Sequence, residues 1–293
     1  MMKTRIYHLH AISPVHVGVG QAIGIVDLPI ARERAANLPM IPGSAVKGVL
    51  RDAFQDNRPL QKTLFGPEEI NKDSDSHAGA LAFGDALLLA LPVRALVGMV
   101  AFVTSPFLLS RYQQAAQRSM PDRPLLEVPQ IAQDNDALVA DSSTNITRAN
   151  AQQHDMLILE DLDLIAQKDP KAKAWAQYLA QQVKDEQWAP HFEARFAIVS
   201  DSVLGFLADT ATEIRSRIRI DDEKRTVKKG ALWYEENLPA ESLLYGILGI
   251  DQPHDDSGLS DTGAAFTEHL GSDALIQIGG KATVGRGLVR FLV

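Results

Sequence analysis

Hydrophobic and polar residues alternate over residues 3–12, with Ile6, Tyr7 and Ile12 among them, and this predicts a strand. A Gly-rich loop follows from His16 to Asp27. Pro39–Ser44 reads as a turn and Ser44 as a helix N-cap. Val46, Val49, Leu50 and Phe54 then recur at helical spacing, predicting a helix over Ala45–Phe54. Leu81–Leu91 and Val97–Thr104 are apolar runs that read as strands or buried segments, and periodicity alone does not decide the first. Residues 107–190 change character, becoming rich in Gln, Ala and Asp with a helical stretch near Pro170–Val183. Glu193–Ser200 predicts a strand, and Ile214–Trp233 a long hairpin turning at Asp221-Asp222-Glu223-Lys224. Leu243–Ile250 is a further apolar element. A polar loop (Gln252–Ser260), a helix (Thr262–Leu270) and strands at Leu275–Gly279 and Gly287–Val293 complete the chain. The mixture predicts an α+β fold.

Composition narrows the functions. With 293 residues the chain fits one large domain with insertions. It has no cysteine, which excludes disulfides, thiolate zinc sites and cysteine nucleophiles. The start of the chain has no apolar core of signal-peptide length, and Asp85, Pro92 and Arg94 interrupt the most apolar stretch, Ala80–Val103. The expectation is a cytoplasmic protein with no membrane span. The net charge of -8 argues against nucleic acid until its distribution is considered. Four acids crowd Asp251–Asp261, whereas Glu213–Lys229 holds seven basic residues against four acidic ones, a local +3. A basic face on an acidic body suits RNA in one groove and protein elsewhere.

Four places can carry chemistry. The first is Pro42–Arg51, where a helix amino terminus offers free N–H groups to phosphate and Lys47 and Arg51 share a helix face. A capped surface helix with two solvated cations explains the same residues. The second is Gly279–Gly287, whose four glycines, with Lys281 and Arg286, can cradle a phosphodiester backbone. It has neither Walker A order nor a following helix, and an ordinary Gly-rich connection remains open. The third is His16 with Asp27. Asp27 can act as a base or hold a metal, although an ordinary Asp titrates at about 3.9 and is a weak base. His16 can exchange a proton near neutral pH. Local backbone bonding is the plainer role for both. The fourth is the hairpin, where Trp233 and Tyr234 can stack on bases and Arg217, Arg219 and Lys228 can follow phosphates. His8 and His10 share a strand face, but two ligands do not make a zinc site.

Taken in order, several of these segments resemble a known family. They are His16-Val-Gly, Gly24-Ile-Val-Asp27-Leu-Pro-Ile and Ile41-Pro-Gly-Ser-Ala-Val-Lys-Gly-Val-Leu-Arg51. Leu64-Phe-Gly66, Gly79–Asp85 and Gly279–Gly287 follow. Together they resemble the RAMP superfamily of CRISPR-associated proteins, and within it the backbone subunit of type III-B (Cmr) RNA-targeting complexes. Gly230–Pro239 favours that subunit over its type III-A relative.

The resemblance implies a ferredoxin-like, RRM-type palm carrying an inserted helical subdomain and a projecting β-hairpin thumb. Residues 1–106, 191–212 and 241–293 would form the palm, 107–190 a mainly helical insertion and 213–240 the thumb. It implies copies stacked head to tail on a guide RNA, beside other Cmr subunits. Gly43, Ser44, Lys47 and Arg51 would hold guide phosphates, with Gly280, Lys281 and Arg286 nearby. Asp27 would be the cleavage aspartate, working with a divalent metal, Mg2+ or Mn2+, to leave a cyclic phosphate end on the target RNA. His16 would position RNA or assist, as would Glu235 or Glu236. A scaffold that binds guide RNA without cutting, a type III-A backbone subunit and a small-molecule enzyme with a phosphate loop are the competing readings.

Overall fold

The computed structural model describes residues 2–20, 26–68, 77–119, 121, 126–140, 144–221 and 223–293. Gly24 and Ile25 of the Gly-rich loop, and Asp222 of the hairpin turn, lie outside the described residues. The chain opens with β1 (Lys3–Ala11), β2 (Met40–Ile41), α1 (Gly43–Asp52) and α2 (Arg58–Phe65). Next come β3 (Leu81–Phe83), β4 (Ala86–Ala95), β5 (Met99–Thr104) and α3 (Pro106–Ser119). The middle holds β6 (Asp136–Val139), β7 (Thr147–Ala149), β8 (Asp155–Leu159), β9 (Leu162–Lys168), α4 (Pro170–Val183) and α5 (Trp188–Glu193). Then follow β10 (Phe196–Val199), α6 (Asp201–Thr210), β11 (Glu213–Ile220), β12 (Val227–Asn237) and β13 (Leu243–Ile250). The chain closes with α7 (Thr262–Leu270), β14 (Asp273–Gln277) and β15 (Leu288–Leu292).

One mixed sheet runs β14-β15-β1-β13-β4-β5-β10-β6-β9-β8-β7, and β11-β12 forms a separate two-stranded ribbon. The position of β13 follows from its composition: Leu243–Ile250 is apolar on both faces, so it is stable only between two strands and two layers. It pairs antiparallel with β1 on one side and β4 on the other. Alternation along β1 then separates two cores. Tyr7 and Leu9 pack with Val46 and Leu50 of α1, with Phe54 just beyond it and with Phe266 of α7. Ile6 packs on the opposite face with Tyr112 of α3, Trp175 and Leu179 of α4 and Phe192 of α5. Phe54 and Phe266 stack at 5.7 Å and 4°. Each such fully buried side chain contributes about 1.5–3 kcal/mol of burial.

Two expectations need correction. Residues 107–190 are not mainly helical: they carry β6–β9 as well as α3 and α4. Those strands are four to seven residues or shorter and extend the main sheet, so their apolar pattern is too brief to read reliably. Ser44 is not the N-cap of α1. Pro42 occupies that place, and the Asp85 carboxylate accepts the Gly43 N–H at 2.8 Å. Gly43 begins the helix because the Phe83 carbonyl lies against it, 2.2 Å from where a Cβ would stand. The apolar run from Leu81 is two strands, broken at Gly84–Asp85, where Gly84 N–H reaches Ile247 O.

Candidate functional site

Three consecutive residues of β12, Tyr234–Glu236, gather the candidate groups from distant parts of the chain. The Tyr234 N–H donates to Asp27 Oδ2 at 2.8 Å. Leu28 then runs beside β12: its N–H reaches Tyr234 O and its carbonyl accepts from Glu236 N–H. His16, buried, lies within 2.6 Å of the Glu236 carbonyl through Nδ1. A carbonyl can only accept, so the Nδ1 of His16 carries the proton and Nε2 keeps the lone pair. That nitrogen faces Gly18, where a Cβ would lie 2.8 Å away. Asp27 and His16 thus anchor on one edge of β12, at residues two apart along it. They are brought to one site without bonding to each other.

The acidic pair is committed elsewhere. Glu235 is buried and bonds Lys281 Nζ at 2.9 Å, Arg217 Nε at 3.1 Å and Trp233 Nε1 at 2.8 Å. Burial pushes its carboxyl up, but the bonds from Lys281, Trp233 and Arg217 outweigh burial and bring it down to about 2. Glu236, also buried, accepts from Ile30 N–H at 3.0 Å and from Arg32 at 2.5 Å. Both acids therefore tie the base of the ribbon to the body of the protein.

The Gly-rich loop meets this site from below, for packing reasons the sequence did not reveal. Gly280 N–H donates to His16 O at 2.9 Å. A Cβ on Gly279 would stand 2.4 Å from that carbonyl, and φ there is +82°. A Cβ on Gly287 would stand 2.1 Å from Ile278 O. At Gly280 the nearest atom would be 3.7 Å away, so it alone of the three has space for a side chain. Gly279→Ala is expected to cost at least about 1–2 kcal/mol from the left-handed backbone alone, while Gly280→Ala leaves stability unchanged. Urea unfolding of the two variants checks this, and equal midpoints would refute it.

The proposed phosphate groups divide by environment. Arg286 is buried, with Nη1 3.9 Å from Glu213, and its Nε has no hydrogen-bond partner among the described residues. Lys281 and Arg217 are held by Glu235. Arg219 and Lys228 are exposed on the ribbon. On α1, Gly43 is buried, Ser44 is exposed, and Lys47 and Arg51 are half-buried. Burial, and then the neighbouring Arg51, hold the Lys47 ammonium below the ordinary lysine range. Ser44 and Lys47 line an open depression of about 540 Å³ with Phe65, Gly66 and Phe83. The two stacking candidates also part: Tyr234 is exposed, whereas Trp233 is half-buried against Glu235. Ile214, Ile218, Leu232 and Tyr234 leave an exposed apolar side on the ribbon, opposite Arg215, Arg217 and Arg219.

No three His, Cys, Asp or Glu residues converge among the described residues. Asp27 has its second carboxylate oxygen available, so the fit is to a single-carboxylate metal position completed by RNA oxygens, as Mg2+ commonly accepts. Among the described residues no helix is long and apolar enough to cross a membrane. The strap Leu28–Arg32 went unread in the sequence, because its partners are some 200 residues away and no local pattern marks them.

The sequence and the fold are both shared with known proteins. The profile of the RAMP superfamily matches residues 8–290, and the chain belongs to that superfamily. It is 35% identical over 297 residues to the CRISPR system Cmr endoribonuclease Cmr4 of Pyrococcus furiosus, covering 99% of this chain and 95% of the relative. The crystal structure of oligomeric Cmr4 from the same organism superposes with a TM-score of 0.73 at 27% identity, covering 100% of this chain and 98% of the other. A chain of a type III-B Cmr-beta complex bound to cognate target RNA shares the fold at a TM-score of 0.73 and 20% identity, with 99% and 96% covered.

Proposed function

We propose that this chain is a repeating, guide-RNA-binding backbone subunit of a type III-B effector complex and that it cleaves the target RNA endonucleolytically at regular intervals. The observation that carries the reading is the convergence of Asp27, His16 and Lys281 on Tyr234–Glu236 at the base of the ribbon. Kinship with an enzyme named an endoribonuclease supports it. We read the palm as ferredoxin-like: β15, β1, β13 and β4 lie in that order, and α1 and α7 cover one face, which supports an RRM-type core. The ribbon is the thumb. Copies stack head to tail along the guide beside other Cmr subunits, and the complex works in the cytoplasm. The guide supplies sequence recognition by pairing, and this chain holds backbone and shape.

The chemistry is transfer within the RNA. The 2′-oxygen attacks the adjacent phosphorus, the bond to the 5′-oxygen breaks, and that oxygen takes a proton from water, leaving a 2′,3′-cyclic phosphate and a 5′-hydroxyl. His16 Nε2, the ring nitrogen left with the lone pair by the bond from Nδ1 to the Glu236 carbonyl, takes the 2′-hydroxyl proton. Asp27, pinned at Oδ2 by the Tyr234 N–H, keeps its other oxygen for the RNA. With RNA oxygens it would hold the Mg2+ or Mn2+, which when bound there neutralises charge on the phosphate. Each group is fixed before RNA arrives, so little ordering cost falls on the reaction.

Guide binding is tested at α1. Lys47→Ala with Arg51→Ala is expected to weaken single-stranded RNA binding and to reduce the slope of log affinity against log salt by about 1.4, roughly 0.7 for each phosphate left without its cation. An unchanged slope removes α1 from the interface. The cutting half is tested by reassembling the complex with and without this chain. Target cuts that persist in its absence leave it a non-catalytic scaffold, the second reading, which the engagement of Glu235 and Glu236 in ion pairs favours.

A further inference from the structure

Asp27 owes its place to the strap that follows it. Among the described residues its carboxylate has one hydrogen-bond partner, the Tyr234 N–H at 2.8 Å. Leu28 then bonds β12 through both main-chain groups, to Tyr234 O at 3.1 Å and from Glu236 N–H at 3.0 Å. There the ladder between strap and strand ends. Pro29 has no N–H to donate. Just past β12, Leu238 exchanges both of its main-chain bonds with Val15 instead.

The side chain of Glu236 carries the pairing further. Its Oε2 accepts the Ile30 N–H at 3.0 Å, as a main-chain carbonyl would. Its Oε1 accepts from Arg32 Nη2 at 2.5 Å, and Arg32 belongs to the same strap. The guanidinium is fixed from other directions too. Nη2 also reaches Ala208 O at 3.0 Å, and Nη1 reaches Asn37 O at 2.8 Å and Asp209 Oδ1 at 3.2 Å. Ala208 and Asp209 lie in α6, which leads into β11. Arg32 thus joins three pieces: the strap that bears Asp27, the helix that enters the ribbon and the strand that leaves it. The Arg32 side chain is 16% exposed and that of Glu236 7%, so solvent screens the pair little. Two other attachments do not involve Arg32. Ala31 bonds Val17 O and Met40 N–H, and Glu33 pairs with Arg111 at 2.8 Å. They keep the strap folded and leave its closeness to β12 to the clamp at Glu236.

We propose that Arg32 is a positioning residue for cleavage: through Glu236 it clamps the strap onto β12 and so sets where Asp27 stands relative to His16. The inference rests on the reading of Asp27 as the cleaving carboxylate. Without Arg32, Glu236 loses the one cation that faces it among the described residues. A buried carboxylate left without its cation is drawn toward water, and it releases the Ile30 N–H as it goes. Asp27, three residues away with a single bond of its own, then shifts. A displacement of about 1 Å at a reacting group costs about 10²-fold in rate.

The complex is assembled with Arg32→Gln, with Asp27→Asn, with both, and with Arg32→Lys, which keeps a positive charge for Glu236. Native gels confirm assembly. Target affinity and single-turnover cleavage are measured separately, and amide hydrogen exchange over residues 26–34 is followed by mass spectrometry. Arg32→Gln is expected to speed exchange there and to slow cleavage at saturating target about 10²-fold, with target affinity unchanged. Arg32→Lys should restore most of the rate. Arg32→Gln should add no further loss to Asp27→Asn, because the two act as one unit. The proposal is overturned if exchange or cleavage stays parental, or if weaker target binding accounts for the loss. It is also overturned if Arg32→Gln slows the Asp27→Asn complex by the same factor as the parent, which marks a structural tie alone. Should Arg32→Gln fail to assemble, Glu236→Gln breaks the same pair from its other end and is judged by the same criteria. Asp27→Asn cutting at the parental rate removes the cleavage reading and this inference with it. Loss of cutting in Asp27→Asn beside a parental rate in Arg32→Gln removes this inference alone.

Discussion

Asp27→Asn is expected to lower target-RNA cleavage by the assembled complex about 10²–10⁴-fold, the range of a lost acid–base or charge-holding group, while leaving assembly and guide affinity unchanged. Asparagine is the informative substitution because its carbonyl oxygen still accepts the Tyr234 N–H, so the loop keeps its anchor and only the charge is removed. Cleavage is read as the ladder of regularly spaced products in Mg2+ or Mn2+, and assembly by native gel. If the complex assembles and cuts at the parental rate, Asp27 is a structural acceptor and the nuclease lies elsewhere. His16→Ala supplies an independent reading: it removes the Nε2 lone pair, so the cleavage rate should fall while the bond from Tyr234 N–H to Asp27 remains, and an unchanged rate would remove His16 from the chemistry.

Glu235→Gln is expected to be the most destabilising single change at the site. The side chain is 2% exposed and its carboxylate faces both Lys281 and Arg217. Losing one member of a buried pair costs about 3–5 kcal/mol, and here the lower end applies, because the two cations keep 35% and 32% of their side-chain surface and can regain water. Arg215→Gln, which removes an exposed pair with Glu213, should cost under about 1 kcal/mol. The two urea midpoints, compared at neutral pH, decide the point. Acid gives a second test. Because the folded carboxyl titrates at about 2 against an ordinary 4.5, its contribution is complete above pH 4.5 and fades as the pH falls toward 2. Glu235→Gln should therefore converge with the parent protein in stability over that interval. Curves that stay parallel would show that the ion cluster does not supply the stability.

Elements with strong local signals were readable from sequence. The helix over Ala45–Phe54 and the hairpin around Ile214–Trp233 show the periodicity of their element and appear as α1 and β11-β12, and the apolar element Leu243–Ile250 appears as β13. Where partners are remote the reading stopped. The start of α1 is fixed by Asp85 and the Phe83 carbonyl, some 40 residues along, so Ser44 resembled a cap without being one. The short strands β6–β9 owe their conformation to neighbours in the sheet, not to their own pattern. In the site, residue types were legible but their allegiances were not. Lys281, Arg217 and Arg286 are the basic residues expected beside phosphate, yet Glu235 and Glu213 already face them. The glycines of the terminal loop signalled close approach correctly, but at Gly279 the approaching group is the His16 carbonyl.

The anchoring of Asp27 and His16 has a bearing on how this site tolerates change. Both are held by main-chain atoms of β12, the Tyr234 N–H and the Glu236 carbonyl, and every residue but one supplies those atoms. The exposed side chain at 234 can vary while the spacing of the two anchored groups stays fixed, whereas the buried Glu236 side chain is held by Arg32 and Ile30. Proline at 234 is the exception, since it alone deletes the donor to Asp27. The placement of Asp27 and His16 is thus set by main-chain atoms of the strand, which leaves position 234 free to diverge around them.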